Sequence, residues 1–194
     1  MGLLDLTPYT NIKSWQKLSE EIGATYIPPH VGQPPRIVYG YKNWQFEFDK
    51  YKRFGRSPIQ YTRLRAVVKS SADIQFKLSD SLSNSIWTIV VDKKKQYSYN
   101  GFNVTGNNDS GLKSLLSIDE LDSFLRVRTE VELYLNKTGI CDAGADEYCL
   151  CLNRLGEWKD ITELKIWIHM MKLAVDQLST TGLIDAEKPV GSLT

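Results

Sequence analysis

The longest amphipathic pattern in the chain runs over residues 160–178. Leu164, Ile168, Met171, Val175 and Leu178 recur at alternating spacings of four and three, one face of a helix. A second row of Ile166, Met170 and Leu173, flanked by Trp167 and Ala174, spreads apolar character over more than half the circumference. Lys165, Lys172, Asp176 and Gln177 are left as a polar strip, so the helix must be covered on more than one side. Asp160 followed by Glu163 reads as a capping box at its start. This helix is expected to lie against a sheet, with part of its face open to a second chain.

Elsewhere two periods alternate. Ile12, Trp15, Leu18 and Ile22 make a first helical stripe that Gly23 ends. Residues 26–35 hold Pro28, Pro29, Pro34 and Pro35, which fix φ and remove donors, so a connector outside regular structure is expected there. From Arg36 the period becomes two. Strands over 36–41 and 44–51 flank a tight turn at Lys42-Asn43, with Trp44, Phe46 and Phe48 on one face. Leu64, Ala66 and Val68, then Ile74, Phe76 and Leu78, mark two half-buried strands. The continuously apolar stretch 86–91 predicts a central strand. Residues 92–96 predict a turn, and 97–104 a strand interrupted at Asn100-Gly101. Leu112, Leu115 and Leu116 restore the helical period, and Ser117 with Glu120 forms a second capping box before Leu121, Phe124 and Leu125. Val131, Leu133 and Leu135, then Tyr148, Leu150 and Leu152, predict two more strands.

No strand–helix–strand alternation runs through this order. It predicts an α+β fold: a mostly antiparallel, twisted sheet of about six to eight strands packed against N-terminal, middle and long C-terminal helices. A single domain over 1–178 and a flexible tail over 179–194 are expected.

Composition narrows the functions. Of the 194 residues 42% are apolar and five are tryptophan, ample for a core. The net charge is +1, unlike the strongly basic total of a general nucleic-acid binder, so nucleic acid is disfavoured as a partner. No apolar run reaches the about 18 residues of a membrane span, and the first ten residues lack a basic leader pattern, so a cytoplasmic protein is expected. Cys141, Cys149 and Cys151 then read as reduced thiols. Their spacing does not match the paired ligands of a structural zinc site, and no metal or other cofactor is expected.

Charge is nevertheless segregated. Lys50, Lys52, Arg53, Arg56, Arg63 and Arg65 fall in an acid-free stretch interleaved with Tyr51, Phe54 and Tyr61, a candidate basic interaction surface. The plainer reading is a solvated strand face, balanced by the acidic residues of 118–147. The over-wide helix offers a second candidate, an apolar interface of Trp167, Met170, Leu173 and Ala174. Catalytic signatures are missing. His30 sits beside a proline and His169 beside the apolar stripe, and no glycine-rich phosphate loop occurs. Tyr39, Tyr41, Trp44, Phe46, Phe48 and Trp87 either fill the core or line a pocket between sheet and helix.

Short landmarks carry a resemblance. Trp15-Gln-Lys-Leu18 with Gly23, Val38-Tyr-Gly-Tyr41, Gly101-Phe-Asn-Val104 leading to Leu115-Leu116, and the Leu164-rich closing helix resemble uncharacterised bacterial, notably cyanobacterial, α+β proteins. The resemblance implies no activity and transfers no site residue. It implies a non-enzymatic housekeeping or assembly role. The expectation is therefore a protein-interaction or assembly module that binds a protein partner or itself as a homodimer. The alternative is a carrier for an apolar or anionic small molecule held between the sheet and the C-terminal helix.

Overall fold

The computed structural model describes residues 12–30, 33–53, 59–80, 95–99, 101–107, 109–128, 130–137, 147–156, 158 and 160–186. Among these, four helices and nine strands form an α+β fold. The helices are α1 (Ile12–Ile22), α2 (Asp109–Leu116), α3 (Asp119–Val127) and α4 (Ile161–Thr180). The strands are β1 (Thr25–Ile27), β2 (Arg36–Tyr41), β3 (Trp44–Arg53), β4 (Ile59–Lys69), β5 (Phe76–Asp80), β6 (Lys95–Tyr99), β7 (Phe102–Gly106), β8 (Val131–Asn136) and β9 (Glu147–Leu155). They form one sheet in the order β1-β2-β3-β4-β9-β8-β5-β7-β6, and all its pairings are antiparallel. The last hairpin, β8–β9, thus sits between the early and the middle strands.

Period-two alternation divides the sheet into two faces. Phe46, Phe48, Leu64, Ala66, Leu133, Leu135, Leu150 and Leu152 point into the main core, which all four helices close. α4 is its spine, packing against α1, α2, α3 and β4. Leu164, Trp167, Ile168, Met171, Val175 and Leu178 are fully or nearly fully buried, as a stripe this wide requires. Tryptophans fill the centre. Trp167 meets Trp158 edge-on at 4.0 Å and stacks on Phe48 at 6.4 Å, while Trp15 tilts against Phe48, also at 6.4 Å.

Several local expectations are corrected. The proline-rich connector contributes the short strand β1, which pairs with Arg36, Ile37 and Val38 just ahead of the first proline pair. The segment read as one interrupted strand is the hairpin β6–β7, turning where Gly101 takes φ +85°. Lys95 and Gln96, expected in a turn, belong to β6. The second capping box does not form: Ser117 Oγ donates to the Ser114 carbonyl instead, and Glu120 reaches His169. At α4 the cap is half right. Asp160 accepts from the Thr162 amide, but Glu163 is held by Arg128 rather than folding back. The expected tail begins too early at 179, because α4 runs to Thr180 and residues through 186 are docked. Ser70 donates to the Leu183 carbonyl, the Asp185 amide to the Lys69 carbonyl, and Ile184 is buried. The strand expected over 86–91 lies outside the described residues.

Candidate functional site

Residues of opposite parity populate the second sheet face: Glu47, Asp49 and Tyr51 on β3, Tyr61, Arg63, Arg65 and Val67 on β4, Cys149, Cys151 and Asn153 on β9, and Tyr134 on β8. This face is a candidate basic surface by sequence. The structure shows paired charge instead. Asp49 and Arg63 are direct cross-strand partners and form a two-pronged ion pair, with Nε and Nη2 each 2.6 Å from a carboxylate oxygen. Arg65, opposite Glu47, donates to it at 2.9 Å, and Arg36 approaches the same carboxylate at 3.8 Å.

Both acids are buried, as is Arg63, so the basic stretch is neutralised by acids two residues apart on the neighbouring strand. Sequence reading missed this because Glu47 and Asp49 precede the acid-free stretch, and only strand pairing brings them to it. Lys50 points to the other face and lies over the Trp15 ring at 5.1 Å. Of the remaining candidates, the side chains of Lys52 and Arg53 and the whole of Arg56 lie outside the described residues.

Burial alone lowers the affinity of the Arg63 guanidinium for its proton, but hydrogen bonds and charge from Asp49 outweigh it, so the group is held firmly cationic. Tyr51 lies under Arg63 at 4.7 Å and stacks on Tyr61 at 5.2 Å. Burial raises its phenol above the ordinary range, Arg63 opposing in part. Burial likewise raises Tyr134. Arg36 Nε and Glu47 Oε2 are buried here with no hydrogen-bond partner among the described residues.

The cysteines also depart from expectation. Cys149 is disulfide-bonded, not a reduced thiol, while Cys151 is free and fully buried. Their sulfurs lie 3.2 Å apart, because residues i and i+2 of a strand share a face. Burial pushes the Cys151 thiol up to about 11, with a hydrogen bond from Tyr134 and the charges of Arg63 and Arg65 pulling the other way.

The apolar interface expected on α4 is consumed within the chain. Trp167, Met170 and Ala174 are buried and only Leu173 is half-buried, since α1, α2 and α3 surround the helix. The aromatics of β2 and β3 fill the same core. Phe46 and Phe48 are buried outright, and Trp87 is outside the described residues. Tyr39 and Tyr41 are half-buried beneath the Lys172 ammonium. The histidines are far apart in role: His169 pairs with Glu120 in the open, and His30 forms an isolated bridge with Gln33. Among the described residues no three ligating side chains gather as a metal site would require.

A cavity of about 470 Å³ opens between the β2–β3 turn and the end of α4. Lys42, Asn43, Trp44, Asp176, Ser179 and Thr180 line it. Asp176 accepts from Lys42 at 2.6 Å and from the Tyr41 hydroxyl at 2.7 Å. Trp44 is buried and its indole N–H has no hydrogen-bond partner.

No known family matches the sequence, and no curated protein matches it. A solved structure does. The crystal structure of the mycobacterial trehalose monomycolate transport factor A, TtfA, superposes with a TM-score of 0.58, over 93% of this chain and 97% of that one. The two share 7% identity, so what is common is the fold. Among the described residues no helix is long and apolar enough to cross a membrane.

Proposed function

We propose that the protein is a non-enzymatic interaction or assembly module whose second sheet face receives a protein partner. The carrying observation is the composition of that face around Tyr51 and Tyr61. Tyrosine and arginine are the side chains that dominate binding energy at protein interfaces, and here a stacked tyrosine pair lies among Arg36, Arg63 and Arg65. Tyr51, Tyr61, Arg36 and Arg65 are only half-buried. Among the described residues of this cluster Arg36, Arg63 and Arg65 lie together with Glu47 and Asp49, and a partner carrying acidic groups suits its half-buried guanidinium groups. The internal pairing of Asp49 and Glu47 also supports a non-catalytic reading, since neither acid is left open to a substrate.

The test replaces Arg36 by Glu and Tyr61 by Ala in one variant. Affinity capture from a native lysate and light scattering on the purified protein are run on variant and wild type alike. Loss in the variant of a defined partner, or of a dimer, with circular dichroism unchanged, supports the reading. The same recovered set in both, or none in either together with a monomer, overturns it.

The cavity favours a second reading, a small-molecule carrier. Its size lies within the range of ligand sites, and Lys42, Ser179 and Thr180 in its lining suit a polar or anionic ligand with hydrogen-bond acceptors. Native mass spectrometry of freshly purified protein reads a bound mass directly; its absence from wild type defeats the carrier. We propose a cytoplasmic location, where the Cys149 disulfide would be a transient bond.

A further inference from the structure

We infer that the cavity between the β2–β3 turn and the end of α4 binds a neutral, hydroxyl-rich ligand, a sugar or polyol, through the Lys42–Asp176 pair. The inference rests on the carrier reading and narrows its ligand from polar or anionic to polar and uncharged.

Three observations carry it. The first is bracing. The walls come from the β2–β3 turn, the end of α4 and Ala186 beyond it. These segments are tied to one another: Lys42 and the Tyr41 hydroxyl donate to Asp176, and the Asn43 side-chain amide donates to the Ala186 carbonyl. The cavity therefore has a fixed shape, as ligand sites usually do.

The second is the balance of charge and hydrogen-bonding capacity. Among the described lining residues the Lys42 ammonium and the Asp176 carboxylate stand 2.6 Å apart, and their charges cancel. An anion drawn to Lys42 meets the carboxylate, and a cation drawn to Asp176 meets the ammonium. A zwitterion has to compete with a pair already made. A hydroxyl group both donates and accepts, so a neutral ligand can use the pair intact. Each Asp176 oxygen takes one hydrogen bond from within the chain and has lone pairs to spare. Lys42 keeps an ammonium proton beyond those directed at Asp176 and the Tyr41 oxygen. Asn43 keeps its carbonyl oxygen, and Thr180, which donates to the Asp176 backbone carbonyl, keeps its own oxygen as an acceptor. Ser179 brings a further hydroxyl, while Trp44 and Ala186 give the apolar lining that suits the C–H faces of a sugar ring.

The third is backbone strain. Among the described residues other than glycine, Lys42 alone holds a positive φ, +51°. Glycine and asparagine enter that left-handed region more readily than lysine does. Lysine here burdens the turn and gives the cavity its ammonium, and strain of this kind gathers at ligand clamps.

The experiment titrates full-length ¹⁵N-labelled protein with glucose, maltose and sorbitol, and separately with inorganic phosphate and tetramethylammonium at matched ionic strength. The backbone amide signals of Asn43 and Ser179, assigned by triple-resonance spectra, report the cavity. A saturable shift with at least one hydroxyl-rich probe, and none with either ion, is expected. Lys42→Asn removes the ammonium and relaxes the turn. Its sugar affinity should fall about tenfold, the worth of a hydrogen bond from a charged donor, while its urea midpoint is no lower than wild type. Lys42→Met keeps the strained φ and should weaken binding equally, which separates the ammonium from the turn. No saturable shift with any of the three probes, a shift from either ion on wild type, or full sugar affinity in the two Lys42 variants would each overturn the inference. A bound mass found in wild type by native mass spectrometry while the sugars fail overturns the ligand class and leaves the carrier reading standing.

Discussion

The Asp49–Arg63 pair makes a quantitative demand. Replacing Arg63 by Met removes both 2.6 Å hydrogen bonds and leaves a carboxylate buried on the second face. Breaking a buried pair from one side costs about 3–5 kcal/mol. Arg65 remains 3.7 Å from Asp49 Oδ2 and softens the loss, so the lower end, about 3 kcal/mol, is expected. With a urea slope of about 2 kcal/mol/M, that moves the unfolding midpoint down by roughly 1.5 M. Adding Asp49→Leu to Arg63→Met removes the stranded charge, and the double variant should return to within about 1 kcal/mol of wild type. Urea unfolding followed by tryptophan fluorescence reads both variants and the wild type in one series. Lys42→Met serves as a control, since the exposed Lys42–Asp176 pair should leave the midpoint where it was. A shift under roughly 0.3 M for the single variant, or a double variant no better than the single, would refute the claim that burial makes this pair matter.

Further outcomes follow from the core, the cap and the titrating groups. Trp167→Ala, which empties the contact with Trp158 and Phe48, should cost about 3–5 kcal/mol in the same assay. Asp160→Ala removes the side-chain cap of α4 and should cost about 1 kcal/mol, whereas Glu163→Ala, which breaks only a half-exposed pair with Arg128, should cost less than about 1 kcal/mol. Alkali should destabilise the fold. The Cys151 thiol and the Tyr134 phenol both hold their protons to higher pH when folded, Cys151 to about 11. Their contribution is therefore complete below the unfolded thiol's ordinary pKa of about 8.5 and is lost as pH rises above it. Urea midpoints at pH 8 and 10 should differ more for wild type than for Cys151→Ala.

Hydropathy alone revealed the skeleton. The period-two runs located β2, β3, β4, β8 and β9, and the apolar stripe of α4 announced a helix enclosed on several sides, which α1, α2 and α3 provide. Partnership was less legible. Arg63 and Arg65 looked like a solvent-facing basic run because a strand's charge balance is set across the sheet, by Asp49 and Glu47, and not along the chain. Trp167, Met170 and Ala174 looked surplus because apolar width says that a helix is covered without saying by what. The second capping box failed for a related reason: Glu120 has a nearer partner in His169, supplied by another helix. The cavity beside Trp44 left no sequence signal, since a turn and a helix end meet there from 134 residues apart.

The position of β8–β9 bears on how the chain is made. Strands β4 and β5 are consecutive in sequence, yet they are held apart by a hairpin that emerges from the ribosome last among the strands. Until residue 155 has been synthesised, the nascent chain carries two partial sheets, each ending in an inner strand with its ladder groups unsatisfied. Such edges invite intermolecular pairing, and the separation of the contacts that close them slows the final join. Truncations short of this hairpin should accordingly be aggregation-prone and bind chaperones, while the complete chain gains its central strands in one late, cooperative closure.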